Sequence, residues 1–80
     1  MIHWPDPPFL IAGTLCGFDR DPMQGGARVV AQVDEDIDGW TWCTEKKSGH
    51  VNPLLLPVFS RESAIAACQR AAEAAIGGEA

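Results

Sequence analysis

Residues 34–45, Asp-Glu-Asp-Ile-Asp-Gly-Trp-Thr-Trp-Cys-Thr-Glu, carry the oxygen-donor spacing of a calcium loop. Asp34, Asp36 and Asp38 take positions one, three and five, Gly39 takes position six and Glu45 position twelve. Alternate carboxylates can converge on one hard cation, glycine permits the sharp turn, and a distal glutamate can bind through both oxygens. Such a loop works between two helices, and the flanks here have the wrong period. Val29-Val30-Ala31-Gln32-Val33 favours a strand, Trp40 and Trp42 alternate, position eight is Thr41, and no second loop occurs to pair with it. With 40–45 extended, Glu45 lies about 20 Å along the strand from Gly39, at about 3.3 Å per residue. We read the segment as an acidic hairpin tip. A calcium module built on Asp34, Asp36, Asp38 and Glu45 is the alternative.

The other reactive side chains form no recognisable set. Cys43 and His50 are two ligands, short of a zinc site. As a nucleophile and base they lack an orienting carboxylate and an oxyanion hole at any fixed position. His3 sits among prolines, and Gly25-Gly26 reads as a turn rather than a phosphate loop. The three cysteines, Cys16, Cys43 and Cys68, are odd in number and contain no Cys-x-x-Cys pair. They read as small buried apolar residues in a reducing compartment. Neither an enzyme nor a cofactor is expected.

The elements that would position these residues follow from periodicity and breakers. Residues 1–8 hold three prolines and predict an extended arm. Phe9 to Gly17 is a compact apolar run, a first strand by length. Residues 18–26 carry turn chemistry in Asp19, Asp21, Pro22, Gly25 and Gly26. Residues 27–34 alternate, with Val29, Ala31 and Val33 on one face. Residues 40–45 alternate again, so the two runs predict a β-hairpin. Residues 54–59, Leu-Leu-Leu-Pro-Val-Phe, suggest a fourth strand, placed at an edge because Pro57 cannot donate to a ladder.

A helix over 61–76 is the clearest feature. Ser60 is an N-cap, Glu62 complements the positive helix end, Ile65, Cys68, Ala72 and Ile76 form a stripe, and Gly77-Gly78 stop it. The expected fold is α+β: a small antiparallel sheet of three strands, with the fourth at its edge, and one C-terminal helix across one face. Residues 1–80 make one domain, as arm (1–8), strands and loops (9–59) and helix (60–77).

With 46% hydrophobic and 21% charged residues the chain is composed like a folded protein. Eleven acidic residues against six basic ones leave a formal charge of −5. That balance repels nucleic-acid phosphates and anionic membranes. The expected partner is a protein with a basic surface, met by Asp19, Asp21, Asp34, Glu35, Asp36 and Asp38, because carboxylates can imitate phosphate charge. The Trp4 arm or the run Leu54 to Phe59 would add an apolar anchor. The N-terminus has no basic region followed by an apolar segment of signal length, and Phe9–Cys16 is too short to span a bilayer. A cytoplasmic location is expected, unless the chain is cut from a secreted precursor.

The hairpin strand Gly39-Trp40-Thr41-Trp42, followed by the Ser-capped, alanine-rich helix from Ser60 to Ile76, resembles the layout of small phage and mobile-element proteins. In size, acidity and α+β layout the chain is similar to many anti-CRISPR proteins. That resemblance covers roughly residues 27–77 and carries over no site residues. It implies an inhibitor whose partner is a CRISPR effector, bound at a surface meant for nucleic acid.

Overall fold

The structure, a computed structural model, describes residues 2–6, 8–37, 39–56 and 60–77. Four antiparallel strands follow one another across the sheet in chain order: β1 (Thr14–Phe18), β2 (Val29–Asp36), β3 (Gly39–Thr44) and β4 (Ser48–Val51). One α-helix among the described residues, α1 (Arg61–Gly77), lies against β2, β3 and β4, and short 3₁₀ turns occupy Pro22–Gln24 and Pro53–Leu55. This is the expected α+β class, with the fourth strand in a different place.

The β2–β3 hairpin and α1 form where their residues ask for it. Alternation buries Ala31, Val33 and Trp40. The Ser60 hydroxyl accepts from the Ser63 amide at 3.1 Å and so caps the first turn of α1. Ala64, Ile65, Cys68, Ala72 and Ala75 are its buried residues, a stripe at helical spacing. Leu15, Val33, Trp40, Ala64, Ile65 and Cys68 form one core cluster, and Trp42 packs against it, so Trp42 and Ile65 share a core.

Residues 9–17 do not make one strand. The chain reverses at Ala12-Gly13, where both residues have positive φ, 53° and 84°. Ile11 and Thr14 exchange two backbone hydrogen bonds, 2.8 and 3.1 Å, across this two-residue turn. Paired positive φ values are the geometry that matches the twist of a hairpin. Gly13 adopts it freely, whereas Ala12 does so against its preference.

The fourth strand is Ser48–Val51 rather than 54–59. Lys46 and Lys47 lie in the turn that returns the chain from β3, closed by the Thr44 amide on the Lys47 carbonyl at 2.7 Å. Leu54 and Leu55 project from a 3₁₀ turn, and Pro57, Val58 and Phe59 lie outside the described residues.

The N-terminal arm is extended, as its prolines predict, but it is built into the domain. His3 pairs with Phe18 through two backbone hydrogen bonds of 2.7 and 2.8 Å. Ile2 is buried with Ala31 and Ala72, Trp4 packs beside it, and the Trp4 indole donates to Glu73 of α1 at 2.7 Å. The contact is possible because Gly17 has no side chain. A β-carbon there would meet the Ile2 side chain and would come within 2.8 Å of the Trp4 ring.

Candidate acidic interface on the uncovered face of the sheet

Strand parity divides the sheet into two faces, since successive side chains point oppositely. One carries Leu15, Gly17, Ala31, Val33, Trp40, Trp42, Gly49 and Val51 toward α1. The other is left uncovered by the helix. On it the register places Thr14, Asp34, Thr41 and His50 in one row and Cys16, Gln32, Cys43 and Ser48 in the next.

The six acidic residues singled out by type fall into separate places. Asp34 and Asp36 share the uncovered face at the end of β2. Asp34 accepts a hydrogen bond from the Thr14 hydroxyl at 2.5 Å, and Asp36 accepts from the Ile37 amide at 2.7 Å. Glu35 points to the other face and pairs with Arg61 at 3.6 Å, whose guanidinium lies 5.9 Å from the centre of the Trp40 ring. Asp38 lies outside the described residues.

Asp19 and Asp21 stand beyond the far end of β1. Five residues separate Thr14, beside Asp34, from Asp19, or about 16 Å of strand. Asp19 is engaged locally: it accepts from the Arg28 amide at 3.0 Å and faces the guanidinium groups of Arg20 and Arg28 at 3.5 and 3.6 Å. The Arg28 backbone donor, helped by those two cations against a desolvation penalty, holds its carboxyl below the usual aspartate range. Asp21 caps the first 3₁₀ turn by accepting from the Met23 amide at 2.9 Å, with the His3 imidazole at 3.9 Å.

The same register bears on the calcium alternative through Glu45. β2 and β3 form a two-stranded ladder in which Ala31 faces Thr44, so Glu45 lies level with Val30. Four residues of β2 separate that level from Asp34 and six from Asp36, roughly 13 and 20 Å. Glu45 therefore does not converge with the aspartates. Among the described residues no group of three His, Cys, Asp or Glu side chains is placed to hold a metal ion.

Cys43 and His50 do come to the same face, as diagonal neighbours across β3 and β4, roughly 7–8 Å apart. Among the described residues no third metal-ligating side chain joins them. Cys68 is buried in the core, and that burial raises its thiol pKa to about 11.

Two features of this face are not readable from residue types alone. Ile37, at the tip of the β2–β3 hairpin beside Asp36, is 99% exposed. Along β1, Thr14, Cys16 and Phe18 line an apolar groove of about 550 Å3 together with Phe9, Ile11 and Met23. A glycine in the middle of the apolar run was the one sequence signal that the chain folds back there.

Among the described residues no helix is long and apolar enough to cross a membrane. Comparison with protein families, with curated proteins and with solved structures finds no match.

Proposed function

We propose that this chain is a small acidic binding protein, an inhibitor that occupies a basic surface of a protein partner with the hairpin end of its uncovered sheet face. The observation that carries this reading is the contrast among its carboxylates. Asp19 and Glu35 each sit beside arginine, whereas no lysine or arginine among the described residues lies within ion-pair reach of Asp34 or Asp36. Two neighbouring uncompensated carboxylates on an uncovered face, beside the projecting Ile37, supply charge for encounter and an apolar contact at the tip. Binding rather than catalysis suits a face on which no three described His, Cys, Asp or Glu side chains gather.

The resemblance of the Gly39-Trp40-Thr41-Trp42 strand and its following helix to anti-CRISPR proteins supports a CRISPR effector as the partner class, met at its nucleic-acid-binding surface. A panel of purified effectors, assayed for target-DNA binding with and without the protein, tests this. The expected result is loss of DNA binding by at least one effector at stoichiometric protein. That loss weakens as salt rises, because exposed charges are screened beyond about 8 Å at physiological ionic strength. It weakens also in the Asp34→Asn/Asp36→Asn variant. Inhibition indifferent to both salt and that variant would refute the charge mechanism, and DNA binding unchanged across the panel would remove the effector as partner.

A further inference from the structure

We infer that the groove along β1 is a docking site for an amphipathic basic helix of the partner, an assignment that rests on the binding role proposed above and names the partner's local structure. Its walls are apolar and its rims are acidic. Phe9 is 55% exposed, Ile11 71% and Met23 91%, three large apolar side chains gathered around one depression. Exposed apolar residues scattered singly are ordinary, but a contiguous concave set marks an interaction site. A volume of about 550 Å3 lies within the range of about 300–1,000 Å3 typical of ligand clefts.

Charge selects the occupant. Asp21 lines one end of the groove, and Asp34 stands at the other, bonded to the Thr14 hydroxyl. Neither lysine nor arginine is among the described lining residues, and the only other ionisable groups there are His3 and Cys16. A segment entering this groove is therefore favoured when it carries cations on both sides of its apolar residues.

Length selects the helix. Thr14 to Phe18 spans four residues of strand, about 13 Å. A helix covers about 10–12 Å between positions i and i+7 or i+8, with i+4 on the same face. Three apolar anchors at i, i+4 and i+7 thus reach along most of the groove, the arrangement of helix-in-groove recognition. Leu54 and Leu55 are as exposed as the groove residues and stand on a 3₁₀ turn, apart from the groove along β1.

The test is a titration of the isotope-labelled protein, followed by amide resonances, with a synthetic helix of about four turns. The probe bears leucine at i, i+4 and i+7, lysine at both ends and alanine elsewhere. The expected result is movement of the Ile11, Cys16, Phe18 and Met23 resonances. The Ile11→Asp/Met23→Asp variant should lose at least about tenfold in affinity while keeping the parent's melting temperature, both positions being exposed. Equal affinity for a peptide with serine in place of leucine, and shifts confined to Asp34, Asp36 and Ile37, would overturn the groove and leave the acidic hairpin reading standing. Equal affinity for a peptide with glutamine in place of lysine would overturn the basic occupant. Movement of the groove resonances on dilution of the protein alone would give the groove to a second copy of this chain, and no movement at millimolar peptide would overturn the site outright.

Discussion

Trp42 lies over the bare backbone of Gly49, its partner across the β3–β4 ladder, so closely that a β-carbon on Gly49 would stand 2.6 Å from the indole nitrogen. An aromatic ring that covers a strand glycine pins register as well as filling space. Gly49→Ala is expected to destabilise the fold by about 1–3 kcal/mol through overpacking. Trp42→Ala is expected to cost about 3–5 kcal/mol through the cavity it leaves. The double variant should be less destabilised than the sum, because the added methyl has nothing left to strike. Urea denaturation of the four proteins measures this, and additive effects would mean that the two residues do not touch.

Ala12 is the one described residue other than glycine with positive φ. Left-handed backbone costs an L-residue about 1–2 kcal/mol and glycine almost nothing. Ala12→Gly is therefore expected to raise stability by up to about 1 kcal/mol, the gain being reduced by the extra freedom of glycine in the unfolded chain. A lowered melting temperature would show that Ala12 is not held left-handed in solution.

Asp19 makes acid stability testable. Its folded pKa lies below the ordinary 3.8, first through the Arg28 amide that donates to it. A depressed carboxylate contributes stability that is present above the unfolded pKa and lost as pH falls through the folded one. Asp19→Asn should therefore melt lower than the parent at neutral pH and lose less between pH 4 and pH 2, with thermal melts at several pH values as the readout. Asp36→Asn, at an exposed position, should stay within about 0.5 kcal/mol of the parent at neutral pH, as surface substitutions do.

Burial sets Cys68 apart from the other two thiols. Burial raises Cys68 from 9.0 to about 11, so the folded state holds its proton longer than the unfolded state does. The sign is opposite to that of Asp19: the associated stability is present below about pH 9 and declines as pH rises toward 11. In native protein at pH 8, Cys16 and Cys43 are expected to react with a thiol reagent while Cys68 waits for unfolding. Equal rates for all three would place Cys68 at the surface.

Much of the architecture was legible because it rests on local signals. The hairpin from Val29 to Thr44 follows from alternation and α1 from the Ser60 cap and its apolar stripe, all of which act over a few residues. What was not legible depends on partners distant in sequence. Ser48-Gly49-His50-Val51 is a poor strand by composition, and it becomes one because Trp42 covers its glycine. Residues 9–17 hide a reversal inside a uniformly apolar run, since Ala12 adopts a conformation its own preference opposes. The acidic residues were identifiable by type, but their grouping was not. Pairing of Thr14 with Asp34 sets Asp34 and Asp36 a strand's length from Asp19, and the parity of β2 turns Glu35 to the other face.

The bond between the Trp4 indole and Glu73 joins positions 69 residues apart, whereas each strand pairs with its neighbour in the chain. Contacts of long sequence separation must bear the loss of chain freedom before they return any stabilisation. The meander can therefore assemble early, with the arm clasping β1 to the helix only after the barrier is passed. Trp4→Ala would then leave the refolding limb of a chevron nearly in place and steepen escape from the native state, so that the arm governs how long the fold lasts rather than how fast it is reached.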